Sequence, residues 1–118
     1  MRDDKKNIIV DKTFEFALDI VEFTEQIYKT NRFALANQLF KSGTSIGANV
    51  HEAQNAESRN DFIHKMKISA KEGDETGFWL KLCTHSPYLP TPPQKLNSDL
   101  DEISLILSKI IATSKRTT

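Results

Sequence analysis

The sequence predicts an all-α fold, an antiparallel up-down four-helix bundle, and three observations predict it. Apolar side chains recur at steps of three and four through four separate stretches, all four prolines fall between Pro87 and Pro93, and no stretch needs a strand to explain its pattern. With 118 residues, 38% of them hydrophobic and 27% charged, residues 1–118 form a single domain, large enough to bury one core without metal or disulfide staples.

The first helix is expected over about residues 11–30, since no Gly or Pro interrupts its periodic pattern. Phe16, Ile20, Phe23 and Ile27 share one line, and Phe14, Ala17, Val21, Thr24 and Tyr28 share a second line roughly 100° round the axis. A solitary bundle would use mainly one line. The second line therefore makes Phe14, Val21 and Tyr28 candidate contacts with another subunit.

After a break at Asn31-Arg32, a second helix is expected over about 33–56, with Leu35, Leu39, Ile46, Val50 and Ala53 along its seam. Gly43 and Gly47 lie inside it. Each costs about 1 kcal/mol against alanine in a helix, so both are expected where a neighbouring helix approaches closely; a bend near residue 43 is the alternative. A third helix is expected over about 58–86, opened by Ser58 and Asp61 at capping spacing. Its seam, Phe62, Met66, Ser69, Gly73, Thr76, Leu80 and Cys83, has a small-residue centre expected to face the glycines of helix two. Phe78 and Trp79 are sequence neighbours and point in different directions, so at least one, with Trp79 the candidate, leaves the core for a subunit contact.

The proline stretch forms a loop, because each proline removes a donor and restricts the residue before it. A fourth helix follows over about 94–113, with Leu96, Leu100, Ile103, Leu107 and Ile110 on its seam, Ile106 and Ile111 beside it, and Thr113 to Thr118 fraying.

Charge and chemistry narrow the function. Lys+Arg and Asp+Glu are both 16, so no net positive field draws nucleic acid or an anionic membrane. A mild local excess exists, because residues 41–71 hold five basic side chains against three acidic ones. Arg59, Lys65, Lys67 and Lys71 are therefore the candidate contacts for RNA or DNA, without interleaved exposed aromatics for base stacking. The single cysteine, Cys83, cannot form an internal disulfide and has no metal-ligand spacing around it, which predicts a reducing, cytoplasmic setting. The charged start, Met1 to Lys6, followed only by Ile8-Ile9-Val10, is too short for an export signal or a membrane span.

No enzyme chemistry is predicted. A bundle-type metal pair needs Glu-x-x-His steps, and no glutamate has a histidine three residues on; His51, His64 and His85 also lack partners at helical spacing. Gly43-Thr44-Ser45-Ile46-Gly47 lacks the Gly-Lys that a phosphate loop requires, and Ser45 faces away from His51 and Glu52 on a helix. No cofactor is expected. Asn49, Glu52 and Glu75 lie close to seam positions and are expected to form a partly buried polar network across helices two and three, answered by each other or by a basic side chain.

Three runs, QLFKSGTSIGANVHEAQ at 38–54, DFIHKMKIS at 61–69 and KEGDETGFWL at 71–80, resemble the bacterial four-helix-bundle proteins named for intervening sequences in 23S ribosomal RNA genes. The resemblance covers most of the chain. It implies an antiparallel bundle that closes into a ring-shaped homopentamer with no established catalytic activity. A related family, the accessory proteins of diversity-generating retroelements, implies a basic barrel serving a reverse transcriptase and nucleic acid. The balanced charge departs from that pattern, and Gly73 and Gly77 stand where helix formers are more usual, implying a less rigid helix three. The expected role is a non-catalytic, homo-oligomeric interaction scaffold; a nucleic-acid-binding accessory role, in RNA or DNA metabolism or beside a nucleic-acid-processing protein, is the alternative.

Overall fold

The computed structural model describes residues 7–116. The readings made on Met1 to Lys6, and on Thr117 and Thr118, lie outside the described residues. Among the described residues four helices are present: α1 (Ile8–Tyr28), α2 (Phe33–Ala53), α3 (Arg59–His85) and α4 (Gln94–Arg116). Each packs against its chain neighbours, α1 also packs against α4, and the diagonal pairs do not meet. Cross-helix contacts fix the direction: Asn7 meets Gln54 while Tyr28 meets Asn37, and Ser69 meets Ile46 while Thr76 meets Ser42. Arg59 reaches Ser114, and Lys12 meets Glu102 while Lys95 meets Asp19, so every neighbouring pair is antiparallel. The result is an up-down rod of 48 × 22 × 22 Å.

Local chemistry explains the helix ends. Asn31 takes a left-handed backbone conformation, φ 64°, which asparagine tolerates and which stops α1. The stop comes at Tyr28 rather than near residue 30, because Thr30 and Asn31 donate three residues back in a tightened turn. The same tightening at Gln54, Asn55 and Ala56 ends α2 at Ala53 instead of residue 56. The predicted cap is present: the Ser58 hydroxyl accepts from the Asp61 amide at 3.0 Å, and an Asp61 oxygen accepts from the Glu57 amide at 3.1 Å. Two boundaries move outward. α1 begins at Ile8 because Ile9 is buried in the core, and α4 continues past Thr113 through Arg116, where Lys115 and Arg116 suit the negative end of the dipole.

The core joins the predicted seams. Phe16, Ile20, Phe23 and Ile27 of α1 meet Leu39, Ile46 and Val50, then Met66, Leu80 and Cys83, and finally Leu96, Ile103 and Leu107, all essentially solvent-free. Phe62 and Ile110 lie at its margin. The glycines of α2 do not face the small centre of α3, as the seam suggested, but face α1. A Cβ on Gly43 would stand 2.8 Å from Ile20 Cγ1, and one on Gly47 would stand 3.0 Å from the Thr13 carbonyl oxygen. What enters the small centre of α3 is Leu100 of α4 together with Ile46 of α2, whose Cδ1 atoms lie 3.8 and 3.9 Å from where a Gly73 Cβ would be. Hydroxyls bind α2 to α3 there: Ser69 donates to the Ile46 carbonyl at 2.8 Å, and Thr76 Oγ1 lies 3.0 Å from Ser42 Oγ.

Candidate functional site

The surface of α1 facing away from the core carries apolar side chains that folding leaves uncovered. Phe14 is 63% exposed, Leu18 55% and Val21 39%, on a helix whose inward line is fully buried. Steps of four and three put these three on one outward face. Thr24, assigned to that line by spacing, turns inward instead; it is buried and its hydroxyl donates to the Ile20 carbonyl at 2.9 Å. Tyr28 is only half exposed, with its hydroxyl donating to Asn37 Oδ1 at 2.6 Å and its ring 6.3 Å from that of Phe33.

The outward face of α1 continues onto α2. Phe14, Ala17 and Val10 form one wall of a groove of about 560 Å³, and Thr44, Gly47 and Ala48 form the other. The groove is open because the Thr13–Gly47 approach brings the helices together with no side chain between them. Exposed Phe33 and Phe40 extend the same side of α2 toward the other end of the rod. Leu18, Phe33 and Phe40 were not singled out from sequence; the available signal was the four-residue step from Phe14 to Leu18 and the seven-residue step from Phe33 to Phe40.

A second uncovered patch lies on α3. Phe78 is 56% exposed, its ring centroid is 5.2 Å from that of Trp79 in an edge-to-face contact, and Leu82 is exposed one turn on. The Trp79 indole N–H donates to Glu75 Oε2 at 3.0 Å, which fixes a half-buried ring against its own helix.

The three predicted network residues do not meet in a buried cluster. Asn49 donates to the Ser45 carbonyl of its own helix at 2.9 Å, Glu75 is held by Trp79 at the surface, and Glu52 is exposed with Lys65 at 3.8 Å. Glu52 is thus answered across α2 and α3 by a basic side chain, but in solvent. Both carboxylates stay at the surface, where a charge costs least to hold, and the buried polar contacts fall to Ser42, Ser69 and Thr76, which need only a carbonyl or hydroxyl partner.

Two of the four candidate nucleic-acid contacts are engaged by groups of this chain. Lys65 sits between Glu52 and Asp61, and Arg59 reaches the Ser114 carbonyl. Lys71 is exposed on α3. Lys67 faces Lys115 across a shallow cleft of about 360 Å³ with Asn60, Ile63 and His64, and the neighbouring ammonium lowers its pKa. Cys83 is buried, which pushes its thiol up to about 11. Among the described residues no group of three His, Cys, Asp or Glu could hold a metal ion, and no helix is long and apolar enough to cross a membrane.

Residues 5–109 match the family of the 23S rRNA-intervening sequence protein. The fold is similar to the crystal structure of a protein with unknown function from the S23 ribosomal protein family from Bacteroides thetaiotaomicron, with a TM-score of 0.81 and 40% identity over 87% of this chain and 97% of that one. Among curated proteins none matches.

Proposed function

The chain belongs to the 23S rRNA-intervening sequence protein family, and from that premise we propose that it works as a non-catalytic, cytoplasmic, homo-oligomeric scaffold. The observation that carries this reading is the outward face of α1, where Phe14, Leu18 and Val21 border the apolar groove shared with α2. Contiguous apolar surface of this kind costs free energy in water and is the usual mark of a protein contact. A ring of five is the count that the family resemblance implies. Sedimentation equilibrium tests the reading: particles several times the 13.4 kDa of one chain support it, and a single-chain mass at every concentration rejects it.

A second reading, nucleic-acid binding in ribosomal RNA or reverse-transcriptase biology, draws on the Lys67–Lys115 cleft. Assembly would multiply a weak basic patch by the number of copies. Its test is retention of a labelled RNA at low salt, lost on K67E with K71E. Retention that survives both changes, or none at low salt, rejects it.

A further inference from the structure

Although the chain carries no net charge, its charges are unevenly spread. The antiparallel pairing of α3 with α4 sets residues 59–71 beside residues 109–116, with Arg59 reaching the Ser114 carbonyl. Together these two segments hold seven basic side chains and one acidic one, whereas α1 holds five acidic side chains and one basic one. The acidic member at the basic end, Asp61, is turned to the Glu57 amide and to Lys65, where Glu52 of α2 joins it.

Within this end, the cleft of about 360 Å³ is walled by Asn60, Ile63, His64 and Lys67 of α3 and by Lys115 of α4, with no carboxylate among these residues. Steps of three and four put the α3 members on one face of their helix. The hollows along α1, by contrast, carry Asp11, Glu15, Asp19 and Glu22. Lys67 makes no ion pair with a described residue; it faces another ammonium, and its side-chain contact with Lys115 lowers its pKa. Two like charges side by side repel, and an anion placed between them turns that repulsion into two attractions.

The number of ammonium groups selects the anion. A backbone phosphodiester carries a single negative charge, which one lysine answers, whereas a phosphate monoester carries about −1.5 to −2 at pH 7 and offers three acceptor oxygens. We infer that the cleft is a site for a phosphate monoester, taken between the Lys67 and Lys115 ammonium groups, with Asn60 and His64 supplying further N–H donors. Where that monoester is the 5′ end of an RNA, the inference rests on the second reading above and adds the group recognised. A small sugar phosphate presents the same chemistry.

Fluorescence anisotropy decides the matter, with the full chain and a short single-stranded RNA labelled at its 3′ end and bearing either a 5′-phosphate or a 5′-hydroxyl. The phosphorylated strand should bind about tenfold tighter. K67Q and K115Q, both at exposed positions, should bring the two strands to parity, whereas K71Q, on the same helix outside the cleft, should leave the ratio unchanged. Circular dichroism verifies that each variant keeps its helices. Ribose 5-phosphate should shift the backbone NMR signals of Asn60, His64 and Lys67, and ribose should not. A preference for the phosphorylated strand that survives both K67Q and K115Q overturns the site. Equal binding of the two strands, with no response to ribose 5-phosphate, also overturns it while leaving the nucleic-acid reading intact. A response to ribose 5-phosphate without preference between the strands keeps the monoester site and removes the RNA end as its source. No response to any of these probes overturns both the site and the reading it draws on.

Discussion

The two faces of α1 use the same kinds of side chain at the same spacing and meet opposite fates. Phe16, Ile20, Phe23 and Ile27 point inward and are sealed by the other three helices; Phe14, Leu18 and Val21 point outward and remain in water. The difference teaches that apolar periodicity reports total demand for burial, and only the fold shows how much of that demand one chain satisfies. The inward face accounts for folding, and the outward face is the surface on which the proposed assembly rests.

The sharpest test of this division is truncation on each face. F23A should lower unfolding free energy by about 3–5 kcal/mol in urea titrations, because it empties a filled site in the core. F14A should change the stability of the isolated chain by no more than about 0.5 kcal/mol and appear instead as a loss of mass in sedimentation. Equal destabilisation by the two would break the comparison.

Glycine replacements probe the same inward face more finely. G43A places a methyl within 3 Å of the buried Ile20 side chain, so overpacking of about 1–3 kcal/mol should outweigh the gain in helix propensity. In G73A the new Cβ meets nothing nearer than 3.8 Å, and the variant should be more stable by about 1 kcal/mol. Thermal melts of the two should move in opposite directions.

Smaller again is the hydroxyl contact between α2 and α3. T76V removes the 3.0 Å contact with Ser42 and should cost about 1 kcal/mol, with helix content unchanged. The smallest effect is alkaline. The Cys83 thiol is raised in the folded chain and ordinary in the unfolded one, so above about pH 9 the unfolded chain releases this proton first and stability should fall. A thiol reagent should accordingly leave Cys83 unmodified at neutral pH until the chain unfolds.

Much of the fold was legible because helical periodicity, the Ser58 cap and the proline loop are local signals. The helix ends shifted by a few residues where local competition decided them, as at Asn31 and at the tightened turn after Ala53. The orientation of Gly43 and Gly47 was not legible: a close approach can be inferred from two glycines, but the identity of the approaching helix depends on rotation about the axis. The polar network failed for a different reason. Nearness to a seam does not distinguish a side chain that turns inward from one that reaches water, and for Glu52 and Glu75 the cost of burying charge favoured water. Ser42 and Thr76, whose hydroxyls cost less to bury, took the interior positions. At the candidate site, Phe14 and Val21 were accessible to helical spacing, whereas the groove beside them required knowing that α2 approaches α1 through Gly47.

The most direct measurement is the sedimentation mass of the wild type beside F14E across a range of concentrations. The account predicts a multiple of 13.4 kDa for the wild type and a single folded chain for the variant. A wild type that sediments as one chain, or an F14E variant that keeps the full wild-type mass, would contradict it.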